Sequence, residues 1–136
     1  MVVAAGIVWL TERRWIPLSA RSVTLTLTPS DKLVARVSQR RELKLLILAV
    51  ERLNPDEHVG AIYNCPALLG TQAPTELRMT FAATAGRTVA VLETEWCPPD
   101  ASLSVPGYKA LQLIAGSPFI DELEAITGLT LPVRST

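Results

Sequence analysis

From Ser22 to Thr28 apolar and polar residues alternate without a break, with Val23, Leu25 and Leu27 on one side and Thr24, Thr26 and Thr28 on the other. A period of two buries one side of a strand and leaves the other in water. Pro29-Ser30-Asp31-Lys32 has turn chemistry and residues 33–37 return as a second strand, so a hairpin is expected. The period then changes. Between residues 40 and 53, Leu43, Leu46, Ile47 and Val50 recur at helical spacing, and Leu45, Leu48 and Ala49 widen the stripe. That pattern predicts a helix pressed onto a sheet. Ser38 is its expected N-cap and Asn54-Pro55 its stop, while Arg40, Glu42, Lys44, Glu51 and Arg52 are assigned to its solvated side and ends.

Residues 55–75 contain three prolines, two glycines and Cys65, and read as a long irregular connection, a kind that is usually functional or tied down. A second hairpin comes next, with strands at 76–82 and 88–96 joined around Thr84-Ala85-Gly86-Arg87. Its inner side is assigned Leu77, Met79 and Phe81 from one strand and Ala90, Leu92, Thr94 and Trp96 from the other. Residues 97–107 read as a second proline-rich loop, and 108–115 are ambiguous between strand and helix. The clearest helix has Ser117 as its expected N-cap and Pro118 at its first position, with Phe119, Ile120, Leu123 and Ile126 at helical spacing, Asp121 and Glu122 at its positive pole and Gly128 as the stop.

These elements predict an α+β fold: an antiparallel sheet of about four to five strands, a long helix packed on one face, a C-terminal helix and one disulfide. The domain is placed at residues 22–128, with 129–136 as a tail. A chain of 136 residues, 49% apolar and 19% charged, fits a single domain with its own core. Lys+Arg and Asp+Glu both total 13, so no net field draws in a phosphate backbone, and nucleic acid is not expected as a partner.

The beginning of the chain changes the picture. Residues 1–10 (MVVAAGIVWL) are an unbroken apolar run, succeeded by Thr11-Glu12-Arg13-Arg14-Trp15. As a helix the run would be ~15 Å long, about half a bilayer core. It reads either as the tail of a longer signal-anchor, which makes residues 1–21 a tether or linker, or as a buried strand over residues 2–10. Arg13-Arg14 by themselves favour a cytoplasmic side for the residues C-terminal to them, against the oxidising compartment that a disulfide needs.

Cys65 and Cys97 are the only two cysteines and lie 32 positions apart, each beside proline at a junction between elements. They read as one bridge or as two packed thiols. A bridge closing a loop of that length stabilises by ~3 to 4 kcal/mol in the chain-entropy account. Catalytic chemistry has little to stand on. His58, the sole histidine, comes after Asp56-Glu57 in a loop, and with Cys65 and Cys97 it lacks the spacing of a zinc site. Glu93 and Glu95 share a strand face, as paired carboxylates in a glycosidase do, but solvation is their ordinary role. No catalytic residue, metal or cofactor is assigned, and no glycine-rich phosphate loop is present.

The order of strand, helix, Cys65-Pro66, the hairpin LRMTFAATAGRTVAVLETEW, Cys97 and a terminal helix resembles small exported domains of high-GC bacteria, over residues 22–128. That resemblance implies export and the bridge. The chain also resembles the Streptomyces-subtilisin-inhibitor-like proteins, through Val23-Thr24-Leu25-Thr26, a helix, a Cys-Pro step and a hairpin ending in cysteine. The inhibitor resemblance implies a protease-contact loop at Pro66, Ala67 and Leu68, with Ala67 as the specificity residue. The second disulfide of that family is missing here. The expectation is therefore a non-enzymatic binding domain outside the cytoplasm, secreted or membrane-anchored, with a protein partner; the alternatives are a substrate-like serine protease inhibitor and, for location, the cytoplasm.

Overall fold

The structure, a computed structural model, describes residues 15–28, 30–55, 76–94 and 100–131. It is an α+β fold. Seven strands are described: β1 (Ser22–Thr28), β2 (Lys32–Val37), β3 (Asn54–Pro55), β4 (Glu76–Ala82), β5 (Thr88–Thr94), β6 (Asp100–Ser104) and β7 (Leu111–Ile114). Two helices accompany them, α1 (Arg40–Glu51) between β2 and β3 and α2 (Ser117–Thr127) after β7. The strands form one sheet in the order β2-β1-β4-β5-β6-β7-β3, antiparallel at every pairing.

The expected count of four to five strands is corrected to seven, because three short strands hide in stretches read as loop, stop signal or ambiguous. Pro106 and Gly107 are not part of a long loop. Tyr108 N–H donates to Val105 O at 3.0 Å and Gly107 has φ +88, so Val105-Pro106-Gly107-Tyr108 forms a type II turn joining β6 to β7. Asn54-Pro55 ends the helix and then pairs with Ile114 and Leu113 as β3. Proline suits this position because an outermost strand can lack a donor.

Register explains the core. Leu25, Met79, Leu92, Leu103 and Leu111 oppose one another in a row across five strands, and Val23, Phe81 and Ala90 form a parallel row. These residues share one cluster with Leu43, Leu46, Ile47 and Val50 of α1 and Phe119, Ile120 and Leu123 of α2. The other side of the sheet carries Thr24, Thr26, Thr80, Arg78, Glu93 and Ser102, all half-buried or exposed. Arg78 there meets Asp31 Oδ1 at 3.3 Å and Glu93 Oε1 at 3.6 Å.

Each helix start differs from the sequence expectation. The N-cap of α1 is Gln39, with no side-chain cap bond, rather than Ser38. The N-cap of α2 is Gly116, with Ser117 already helical and no acid in the first turn. The stop of α2 is as expected: Gly128 has φ +74 and its N–H donates to Glu124 O at 2.8 Å, a left-handed cap that suits glycine. Leu131, placed in the tail, is buried, and its N–H donates to Glu124 Oε2 at 2.6 Å.

Candidate functional site

Glu51, expected at the solvated end of α1, is instead 1% exposed. One carboxylate oxygen accepts Trp15 N–H and the other accepts Ile16 N–H, both at 2.9 Å. A buried carboxylate is tolerated when hydrogen bonds replace its hydration, and two backbone donors do that here. The bonds fasten residues 15–21 to α1. The stretch 16–20, linker-like in sequence, packs as a strap: Ile16 and Ala20 enter the core, while Pro17, Leu18 and Ser19 face outward. Ala20 N–H donates to Pro17 O at 3.2 Å, and Arg21 N–H donates to Ala82 O at 2.7 Å, which ties the far end of the strap to β4.

Between this strap and the β6–β7 hairpin lies a cleft of about 580 Å³. Trp15, Pro17 and Leu18 form one wall, and Leu103, Leu111 and Tyr108 line the other. Leu103 and Leu111 point to the helix side of the sheet, so the cleft is a gap in the core's cover. Its lining is mainly apolar, and the lining residues whose side chains carry polar groups are Trp15, Tyr108 and Lys109, the last two exposed. Tyr108 is 79% exposed, a large aromatic surface left in water at the mouth. Among the described lining residues none is acidic. This arrangement can take an apolar group whose end carries negative charge or a hydrogen-bond acceptor.

The residues singled out from the sequence, Cys65, Cys97, Pro66, Ala67, Leu68 and His58, lie outside the described residues. So does Glu95, while its companion Glu93 is exposed and paired with Arg78. Among the described residues no three His, Cys, Asp or Glu side chains converge to hold a metal, and no helix is long and apolar enough to cross a membrane. Sequence reasoning missed the strap and the cleft. The available signals were Val105-Pro106-Gly107-Tyr108, a type II turn motif with an aromatic beside it, and the acid closing an otherwise apolar helix.

No protein-family model, curated protein or solved structure matches the chain.

Proposed function

We propose that the protein is a non-enzymatic binding domain acting outside the cytoplasm, secreted or membrane-anchored, which receives an apolar side chain of a protein partner in the cleft between the strap and the β6–β7 hairpin. One observation carries this reading: a cleft of about 580 Å³ with apolar walls keeps Tyr108 and Lys109 at its mouth. Its size and lining are those of a binding site, and an aromatic beside a cation at its mouth offers a partner both apolar contact and charge. Lys109 favours a carboxylate next to the inserted group. In this reading Cys65 and Cys97 form a bridge that ties the long connection after β3 to the end of β5.

The cleft is tested with fragments that mimic an aromatic side chain beside an acid. Titration with 4-phenylbutyrate should shift the Leu103 and Leu111 methyl resonances saturably, and its neutral amide should bind more weakly. Leu111→Arg should abolish the shift at Leu103. Equal binding of acid and amide removes the role given to Lys109, and no saturable response at either leucine rules the cleft out. The bridge is tested separately, by counting alkylated thiols before and after reduction of protein from an oxidising compartment.

A further inference from the structure

The other side of the strap faces a second concavity, and its chemistry differs. A groove of about 1130 Å³ runs between the strap and the first half of α1. Arg21, Arg40, Arg41 and Lys44 line it together with Leu18 and Leu45. Among its described lining residues there is no acid; Glu42, half-buried, is the nearest in sequence. Leu18 is 71% exposed and Leu45 46% exposed, two large apolar side chains standing among the cations. Arg21 Nη1 donates to Leu18 O at 2.7 Å and to Ala20 O at 3.1 Å, which holds the strap in the bend that presents Leu18 outward.

The neutral total charge conceals a separation. Residues 1–44 hold eight of the 13 Lys and Arg but three of the 13 Asp and Glu. Arg40 and Arg41, moreover, open α1, at the end where a helix favours negative charge. The helix dipole does not favour either of them, and Glu42 is the acid of that same turn.

We infer that this groove face docks on an anionic lipid surface, with Leu18 and Leu45 entering the interface and Arg21, Arg40, Arg41 and Lys44 meeting the phosphates. Long basic side chains around exposed leucines are what such a surface recognises: the stems lie on the acyl boundary and the charges stay at headgroup level. The chain also leads into the strap from an apolar decapeptide and Arg13-Arg14. An acidic peptide would be attracted by the cations but would leave the two leucines uncovered. Leu18 lines both concavities, but the four cations and Leu45 belong to the groove alone, so Arg40→Glu with Arg41→Glu tests it apart from the cleft.

The test uses the full chain in flotation with phosphatidylcholine vesicles, with and without phosphatidylglycerol. Because residues 1–10 can themselves enter lipid, the readout is the preference for anionic over neutral vesicles. The wild type should prefer the anionic vesicles, and the preference should shrink as salt rises. Arg40→Glu with Arg41→Glu should weaken binding to anionic vesicles by at least ~30-fold, from about one kcal/mol per cation. The same variant should melt at a higher temperature, since acids then open the helix. Leu18→Ser with Leu45→Ser, which leaves every charge in place, should weaken binding about tenfold and serves if the arginine variant folds poorly. Binding to anionic vesicles that is unchanged in both variants overturns the inference. So does equal wild-type binding to both vesicle types, and so does full displacement by soluble polyglutamate, which would assign the groove to an acidic polypeptide.

Discussion

Glu51 decides where residues 15–21 go. Its carboxylate is the acceptor for two backbone N–H groups, one of them on the buried Ile16. Glu51→Ala should therefore cost ~3 to 5 kcal/mol in urea unfolding, since both donors lose a charged acceptor and a space is left. Glu51→Gln, which keeps one acceptor oxygen, should cost about half as much. Loss of the carboxylate should also loosen the cleft wall, so in a variant with Trp9 and Trp96 replaced by phenylalanine the emission of Trp15 should move to longer wavelength in the folded baseline. At the opposite wall, Gly107 sits at φ +88 with no atom near where a Cβ would go. Gly107→Ala meets a conformational obstacle and no clash, and ~1 kcal/mol is expected in the same measurement. Thr94 supplies the third case. Its hydroxyl accepts Leu77 N–H at 3.0 Å and lies 3.3 Å from Leu77 O, so a side chain completes the ladder at the end of β5. Thr94→Val keeps the shape and removes both bonds, with an expected loss of ~1 to 3 kcal/mol.

At the scale of elements, α1 shows what its neighbours impose. Residues 46–51 are all buried, whereas a helix lying on one sheet face alone would keep a wet side. Helix α2 covers one flank, and the strap bound through Glu51 covers another. Leu123 of α2 is fully buried, so Leu123→Ala should cost ~2 to 5 kcal/mol and reduce the cooperativity with which both helices melt. Elements with a long, one-sided pattern are readable from the sequence: β1, β2, β4, the first part of β5 and both helices stand within a few residues of expectation. The short strands are not. Asp100–Ser104 does alternate, but over only five residues with Ala101 and Leu103 as its apolar positions and prolines close on either side, and Asn54–Pro55 is two residues long, one of them proline. The cleft escapes for the same reason, since Ile16-Pro17-Leu18 has no period and Glu51 resembles any charged helix end. Its burial depends on a segment 35 residues away.

For the whole molecule, strand order separates the stable interior from the margins. Strands β4 and β5 are flanked on both sides, whereas β2 has one neighbour and β3 is a stub. Amide exchange should be slowest in β4, β5 and β1 and fastest in β2 and β3, because opening an outer strand exposes less apolar surface. Uniform protection across the sheet would contradict that ordering. The order itself is not legible in the sequence. β1 pairs with β4 across 48 positions, Thr28 against Glu76, while α1 carries the chain from one margin of the sheet to the other before the meander begins. Pairings that distant carry no local signal and form late in folding.

Pro55 then acquires a meaning beyond ending a helix. On that flank the sheet stops in a two-residue ribbon with one amide hydrogen missing, which offers almost nothing for a further backbone to copy. The opposite flank, β2, is the only full-length rim among the described residues. Among the described residues, then, head-to-tail stacking of copies finds no second full-length rim to continue on, and joining through β2 would pair two molecules and stop there.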